Sequence, residues 1–311
     1  MDLLDADTLI RIYHSGVALS PKKALLCCVL TLLLLYHLAT APYRYWQCGC
    51  PPLHFFLLPC SGNGSFGQEI DLLRRLSHPN IVQYYGSNRV SSIRQAIPFV
   101  FVQTEDTLSI YLEYVSEGSI HKLLKEYGPF KEPVIRYFTA QILSGLAYLH
   151  EGRTVHRDIK GANILVNHYG EVKLADFGLA KHISSTAEIH SIKGTAYWMA
   201  PELIKSSYSG EGYNLSVDIW SLGCTLIEMA TARPPWHPLE PVAAMFKIAN
   251  SKDTPNIPDS FSEIGKSFLQ LCLKRDPASR PSAARLMGHP FVHGYLTPVK
   301  ASTIQLMGDE W

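Results

Sequence analysis

The sequence has no excess of charge of either sign. Its 311 residues contain 28 lysines and arginines against 27 aspartates and glutamates, which gives a formal net charge of +1. Binding to the phosphates of a nucleic acid needs a concentrated basic surface, and binding to a strongly acidic protein needs the same. The composition therefore predicts that nucleic acid is not a partner of this chain.

Cysteine is scarce after the first sixty residues. Five of the seven cysteines come before residue 61, and only Cys224 and Cys272 follow. This distribution excludes a disulfide-dense scaffold and is typical of a reduced, intracellular protein. Cys48 and Cys50 lack the second cysteine pair and the histidines that a structural zinc site needs, so no zinc site is predicted.

Residues 1–63 lack the regular spacing of apolar residues that indicates helices or strands, and we predict an irregular apolar segment there. Within it, a nearly continuous apolar run at 24–39 follows Lys22 and Lys23. The run is short for a transmembrane helix and has the length of a signal-peptide core, but Pro42 follows the small residues at which cleavage would occur. A membrane anchor would rest on this run alone.

From residue 68 onward the pattern becomes regular. Residues 68–76 carry one helical stripe, and the runs at 81–87 and 108–115 are rich in the β-branched and aromatic residues of strands. Short strands are also predicted at 164–166 and 171–174. Helices are predicted at 118–126, 132–150, 215–230, 240–249, 262–273 and 279–286. This order predicts an α+β fold with a small β-rich lobe and a larger helical lobe.

Four motifs follow one another in the second half of the chain. They are TVHRDIKGANILV at 154–166, ADFG at 175–178, GTAYWMAPE at 194–202 and DIWSLG at 218–223. Together, in this order and at these intervals, they closely resemble eukaryotic protein kinases. The resemblance covers residues 64–293 and implies a bilobal fold, with an incomplete N-lobe over 64–114, a complete helical C-lobe over 115–293 and a C-terminal tail over 294–311.

The resemblance implies transfer of the γ-phosphoryl group of ATP, a reaction that needs positioning and charge neutralisation more than covalent chemistry. Asp158 matches the base that accepts the proton of the substrate hydroxyl. Lys160 matches the lysine that steadies the γ-phosphate in serine/threonine kinases. Asn163 and Asp176 match the ligands of Mg²⁺, an ion that prefers oxygen donors.

Further positions match residues that bind adenine or brace the fold. For adenine, the resemblance implies Leu112 as gatekeeper, the Glu113 carbonyl and the Val115 amide as hinge, and Leu165 as the floor of the pocket. The implied structural residues are Asp218, which holds the catalytic loop, and the buried ion pair of Glu202 and Arg280.

Regulation is implied at Arg157, which can pair with a phosphate on the activation loop and so order it. The hydroxyl groups of that loop that could carry a phosphate belong to Ser184, Ser185, Thr186, Ser191 and Thr195. Thr195 matches a threonine that helps to hold the catalytic aspartate, which favours a structural role for it. For each of the others, an unmodified polar loop is an equally open interpretation.

The subfamily is indicated by longer stretches. These are HPNIVQYYGS, IYLEYVSEGSI, QILSGLAYLH, HRDIKGANILV, YWMAPE and VDIWSLGCTLIEMAT. Together they resemble MAP kinase kinase kinases of the MEKK type, closest to the plant group. This resemblance implies a MAP kinase kinase as substrate, an upstream activating kinase or adaptor, ATP and Mg²⁺ as cofactors, and a cytoplasmic location. The need for cytosolic ATP argues against the alternative of a membrane-anchored receptor kinase.

The stretch SGNGSFGQEI at 61–70 is unusual for this family. Gly62, Gly64 and Gly67 match a glycine-rich phosphate loop, and Glu69 matches the glutamate of helix C that pairs with a lysine on the third strand. In one interpretation, a true phosphate loop is joined directly to helix C. In the other, the stretch only begins a helix through a Ser-x-x-Gln capping box, which we favour because a helix follows at once.

The lysine expected on the third strand is missing. No lysine occurs from Ala24 to His121. Without this cation the phosphates are less well neutralised, so the sequence predicts weak MgATP binding and little phosphoryl transfer. A catalytically impaired pseudokinase that acts as a scaffold is therefore an open alternative. In addition, the 14 residues Val90–Gln103 interrupt a turn of fixed length, and we hypothesise that they and residues 1–63 are not native coding sequence.

Overall fold

The computed structural model describes residues 53–59, 70–90, 107–182, 195–209 and 214–295. All of these belong to one compact unit, Leu53–Trp311. Several sequence predictions lie outside the described residues, namely the apolar run 24–39, the glycines Gly62, Gly64 and Gly67, Glu69, and the candidate phosphosites Ser184, Ser185, Thr186 and Ser191. Within the described ranges, no helix is both long and apolar enough to cross a membrane.

The smaller lobe contains an antiparallel sheet of three strands in the order β1-β3-β2. The strands are β1 (Leu53–Pro59), β2 (Tyr84–Val90) and β3 (Thr107–Glu113). Strand β1 pairs with β3 along its whole length. The prediction of an irregular segment over residues 1–63 is therefore wrong for Leu53–Pro59. The strand was missed because LHFFLLP is apolar almost throughout and shows no alternation of polar and apolar residues.

Strands β2 and β3 are hydrogen-bonded neighbours, and Val90 pairs directly with Thr107. Sixteen residues, 91–106, separate these two paired positions in the sequence. Antiparallel neighbours can be joined by a turn of about two residues, so this connection is much longer than the pairing requires. Our hypothesis that Val90–Gln103 are not native coding sequence remains a prediction about the transcript.

The larger lobe is mostly helical. Its helices are α1 (Ile120–Tyr127), α2 (Glu132–Glu151), α3 (Pro201–Ser209), α4 (Ser216–Thr231), α5 (Pro241–Asn250), α6 (Glu263–Cys272) and α7 (Ala283–Leu286). Each helical segment predicted in this lobe overlaps one of these helices, and α3 is additional. Helix α4 is buried from Val217 to Met229, as expected for an apolar helix at the centre of a lobe. The predicted α+β fold is confirmed.

Short strands hold both ends of the loops that carry the kinase-like motifs. Strands β4 (Gly118–Ser119), β6 (Ile164–Val166) and β7 (Val172–Leu174) form one small sheet, while β5 (Thr154–Val155) pairs with β8 (Lys181–His182). The loop between β5 and β6 and the loop between β7 and β8 are therefore both anchored at their two ends. These two loops carry the candidate catalytic residues.

Candidate active site

The carboxylate of Asp158 lies at the centre of a hydrogen-bonded cluster. Its Oδ2 accepts hydrogen bonds from Lys160 Nζ at 2.7 Å and from Asn163 Nδ2 at 2.8 Å. Its Oδ1 accepts a hydrogen bond from Thr195 Oγ1 at 2.7 Å. Lys160 Nζ also donates to Thr195 Oγ1 at 2.6 Å. Because each carboxylate oxygen is held by a donor from the protein, the position of Asp158 is fixed before any substrate binds.

Asn163 and Asp176 carry side-chain oxygen atoms of the kind that can bind a metal ion, and backbone hydrogen bonds connect both residues to this cluster. The side-chain nitrogen of Asn163 also donates to the Asp158 carbonyl at 2.9 Å, which leaves the Asn163 Oδ1 atom as its available acceptor. The Ala175 amide donates to the Asn163 carbonyl at 2.9 Å, so Asp176 follows directly after a residue bonded to Asn163. Asp176 is exposed, and its φ of 62° lies in the left-handed region that aspartate tolerates better than most residues.

The chemistry of these donors fits Mg²⁺. An amide oxygen and an exposed carboxylate are hard ligands, and magnesium in phosphoryl-transfer sites is held by one or two such groups, with phosphate oxygens and water completing the octahedron. No group of three or more His, Cys, Asp or Glu side chains within the described ranges could hold a metal alone. The Asn163 amide oxygen and the Asp176 carboxylate are two groups of the kind that magnesium accepts.

The loop that carries Asp158 is held by hydrogen bonds to Asp218, on helix α4. The Asp218 carboxylate accepts hydrogen bonds from the backbone amides of His156 at 2.9 Å and Arg157 at 2.8 Å, and from His150 Nε2 at 2.9 Å. Burial alone would raise the pKa of Asp218, but the bonds and charge of His150, together with the His156 amide, hold the pKa below its ordinary value. Arg157 has a φ of 70°, a strained conformation that Asp218 stabilises.

We expect Asp218→Asn to lower phosphoryl transfer and stability together. In the variant an NH2 group replaces one carboxylate oxygen, so at least one of the three groups that now donate to Asp218 loses its acceptor. Leaving such a buried polar group unpaired costs about 1–3 kcal/mol. Because the folded-state pKa of Asp218 is lowered, its stabilisation is complete above the ordinary value and is lost as the pH falls through the lowered value. As the pH falls below the ordinary pKa of aspartate, thermal unfolding should show a steeper loss of stability in the wild type than in the variant.

The matched control for this experiment is Ser216→Ala on the same helix. The Ser216 hydroxyl is buried and has no hydrogen-bond partner among the described residues. We expect the alanine variant to keep the wild-type melting temperature and its acid dependence. Equal stability of Asp218→Asn and Ser216→Ala at pH 7 would contradict the role of Asp218.

The flanking residues His156 and Arg157 are buried rather than open to substrate. His156 donates from Nε2 to the Ala175 carbonyl at 3.1 Å and packs against Phe177, with ring centroids 5.0 Å apart. Burial lowers the pKa of His156, which favours the neutral ring. Arg157 donates from Nε to the Leu179 carbonyl. Both residues thus tie the catalytic loop to the loop that carries Asp176.

The residues predicted to bind adenine lie where the sheet meets the helical lobe. Leu112 is on β3, Val115 is buried just after it, and Leu165 is on β6, where it pairs with Ser119. The side chain of Glu113 accepts from the Gln83 amide at 3.1 Å and forms an ion pair with Lys173 at 2.8 Å. The structure thus uses this side chain to attach β3 to β7, and its carbonyl remains the group predicted to bind adenine.

The predicted structural pair of Glu202 and Arg280 meets in the helical lobe. Arg280 Nη1 lies 2.5 Å from Glu202 Oε1, and Arg280 Nη2 lies 2.8 Å from Glu202 Oε2. The guanidinium also donates to the carbonyl groups of Lys274, Arg275 and Ser216. This arrangement satisfies both oxygens of the carboxylate and connects α3, α4 and the loop after α6.

One buried acidic residue of this region could not be expected from the sequence motifs. Glu228 lies on α4 with its side chain 4% exposed, and its Oε2 accepts hydrogen bonds from the Gly161 amide at 2.9 Å and from Trp198 Nε1 at 3.1 Å. The available signal was an acidic residue within the apolar run CTLIEMAT, where charged side chains are rarely buried without a partner.

Comparisons with known proteins show what the chain is similar to. The chain matches the protein kinase domain over residues 60–292. It is 60% identical to "Mitogen-activated protein kinase kinase kinase 3" of Arabidopsis thaliana over 225 residues, which cover 72% of this chain and 34% of that protein. It is also 60% identical to "Mitogen-activated protein kinase kinase kinase YODA" of Arabidopsis thaliana, over 74% of this chain and 24% of that protein.

The similarity extends to a protein from a second organism. The chain is 46% identical to "Mitogen-activated protein kinase kinase kinase A" of Dictyostelium discoideum, over 77% of this chain and 24% of that protein. In each of these three comparisons the matched segment spans about a third of the relative's length or less. The relatives are therefore much longer than the matched segment, and the similarity concerns only the part of each relative that this segment covers.

Proposed function

The chain belongs to the protein kinase family, and we propose that it is a serine/threonine kinase that phosphorylates a MAP kinase kinase, acting as a MAP kinase kinase kinase. The observation that carries this proposal is the cluster of Lys160, Asn163 and Thr195 around the Asp158 carboxylate. Protein kinases in general use ATP and Mg²⁺. The names of the relatives support the assignment to this step of a signalling cascade.

In this proposal, Asp158 orients the hydroxyl group of the substrate and accepts its proton. Each carboxylate oxygen has two lone pairs, so Asp158 can accept the substrate hydroxyl in addition to its present donors. Lys160, 2.7 Å from Asp158, supplies positive charge beside the position at which the phosphoryl group is transferred. Thr195 fixes both side chains, and its place in the cluster supports an acceptor of the serine or threonine type, as the resemblance implies.

Asn163 and Asp176 would hold Mg²⁺ together with the nucleotide. When bound, this ion neutralises charge on the phosphate oxygens. The hydrogen bonds of Asn163 to Asp158 keep its amide group in one orientation, and the Ala175 amide keeps Asp176 close to it. Leu112, Glu113, Val115 and Leu165 would bind adenine, and Arg157 would bind a phosphate on the activation loop.

The comparisons do not support the alternative of a pseudokinase, because the relatives carry the names of kinases of this cascade. The absence of lysine from Ala24 to His121 remains a fact of the sequence. We therefore expect low turnover and weak MgATP binding, with the chemistry still dependent on Asp158. An upstream kinase or adaptor and a cytoplasmic location are parts of the same proposal.

The test is the identity of the protein and of the residue that receives the phosphate. The whole chain is incubated with MgATP and either a kinase-inactive MAP kinase kinase or a MAP kinase, and phosphopeptides are mapped by mass spectrometry. We expect phosphoserine and phosphothreonine on the MAP kinase kinase alone. Phosphotyrosine, or a preference for the MAP kinase, would contradict the proposal.

A further inference from the structure

Glu228 joins two segments of the candidate active site that are far apart in sequence. One oxygen, Oε2, accepts hydrogen bonds both from the amide of Gly161, in the catalytic loop, and from the indole of Trp198, in the segment that begins at Thr195. The other oxygen lies 3.5 Å from His121 Nδ1, at the start of α1. A single carboxylate thus contacts both of these segments and the start of α1.

The approach of Glu228 to the catalytic loop is unusually close. A Cβ atom at position 161 would lie 2.7 Å from Glu228 Oε1, so only glycine leaves room for the carboxylate there. Gly161 follows Lys160 directly and begins the short helix Gly161–Asn163. Any shift of the Gly161 amide would therefore move both the lysine that contacts Asp158 and the asparagine that contacts it.

Burial makes a charged carboxylate at position 228 energetically unfavourable. Burial raises the pKa of Glu228, although the Gly161 amide acts in the opposite direction. A well-packed apolar side chain is often as stable as a buried charged one or more stable, so fold stability alone gives little reason for glutamate at this position of an apolar helix. What the carboxylate adds is an acceptor for two donors that belong to the active site.

We propose that Glu228 is a positioning residue, which fixes the catalytic loop through the Gly161 amide and aligns that loop with the Thr195 segment through the Trp198 indole. Asp158 receives two side-chain donors from its own loop, Lys160 and Asn163, and a third from the second segment, Thr195. The donors from both segments keep their places only when the two segments are aligned. The proposal rests on the proposed kinase function and adds to it a residue that the family resemblance did not assign.

Two substitutions separate the hydrogen bonds of Glu228 from its charge and its volume. Glu228→Gln keeps one carbonyl oxygen, which is sufficient because Oε2 accepts both bonds. Glu228→Met has a similar volume and no strong acceptor. We expect Glu228→Met to lower kcat about tenfold or more with little change in KM for ATP, because misplaced catalytic groups lower kcat. We expect Glu228→Gln to keep kcat within about threefold of the wild type.

Hydrogen exchange gives a readout that does not depend on activity. In Glu228→Met we expect faster exchange in the segment 156–163 and unchanged exchange in α2, because the Gly161 amide loses its acceptor. The matched control is Glu263→Met, which changes the same residue type at a side chain that is 89% exposed. Wild-type kcat in Glu228→Met, wild-type exchange of the loop, or equal losses in the Met and Gln variants would each overturn the proposal.

The outcomes distinguish this proposal from the proposed function. If the wild type transfers no more phosphate than Asp158→Asn, the proposed function fails, and loop exchange in Glu228→Met still decides the role of Glu228. If Glu228→Met shows no folding transition, Trp198→Phe carries the test, because it removes the indole donor and leaves the Glu228 carboxylate and its bond to Gly161 in place. We then expect a loss in kcat of about threefold, and an unchanged kcat would overturn the proposal.

Discussion

Asp158→Asn is expected to abolish phosphoryl transfer by this chain while leaving its fold and its affinity for MgATP unchanged. An amide cannot accept the proton of a substrate hydroxyl, and loss of a general base typically costs about 10²–10⁴-fold in rate. The amide oxygen can keep the bonds from Lys160 and Asn163, and the amide nitrogen then faces the Thr195 hydroxyl, which can accept a hydrogen bond instead of donating one, so no buried group loses its partner. Asp158 is not one of the residues expected to hold Mg²⁺, so nucleotide affinity should not change.

Asp176→Asn should give a different pattern of losses. Replacing the charged oxygen donor weakens the site for Mg²⁺, so this variant should lose MgATP affinity as well as turnover. The measurements are turnover with radiolabelled ATP, which quantifies slow reactions, and nucleotide binding by calorimetry with and without Mg²⁺. Wild-type turnover in either variant, or an equal loss of MgATP affinity in both, would contradict the assigned roles.

Arg280→Ala is expected to destabilise the helical lobe by about 3–5 kcal/mol. The Arg280 side chain is fully buried, and its removal leaves the Glu202 carboxylate without the guanidinium that now meets both of its oxygens. It also removes the donor for three backbone carbonyl groups and a cation–π contact with Trp220 at 5.2 Å. The variant should unfold about 10 °C below the wild type.

The control for Arg280→Ala is Lys266→Ala, which removes an ion pair at the surface. Lys266 contacts Glu263 at 2.9 Å, and the glutamate side chain is 89% exposed. Exposed pairs contribute at most about 1 kcal/mol, so this variant should unfold close to the wild type. Equal melting temperatures for Arg280→Ala and the wild type would show that the buried pair does not stabilise the lobe.

The sequence predicted the catalytic cluster well because its residues lie in short, contiguous motifs. Asp158, Lys160 and Asn163 fall within six residues, and the structure brings them together around one carboxylate. Thr195 is distant in sequence, and its contact with Asp158 could be expected only from the family resemblance. The roles of these residues in catalysis remain proposals that the substitutions above test.

What the sequence did not predict depends on contacts between distant segments or on local geometry. Glu228 contacts the catalytic loop only because the fold brings helix α4 next to Gly161. The spacing of apolar residues along the sequence cannot reveal such a contact. The helix predicted at 279–286 begins only at Ala283, because Pro281 has no amide hydrogen to continue a helix and the Ser282 hydroxyl caps the next turn by accepting from the Arg285 amide.

The most direct test of the central claim is phosphoryl transfer by the whole 311-residue chain beside Asp158→Asn prepared in the same way. Radiolabelled ATP and a kinase-inactive MAP kinase kinase are supplied to both, and incorporation is followed over hours because we expect slow turnover. We expect the wild type to incorporate more phosphate than Asp158→Asn does, and this incorporation to depend on Mg²⁺. Equal incorporation by the two proteins would contradict it and would show that the cluster around Asp158 does not act as a kinase active site in this chain.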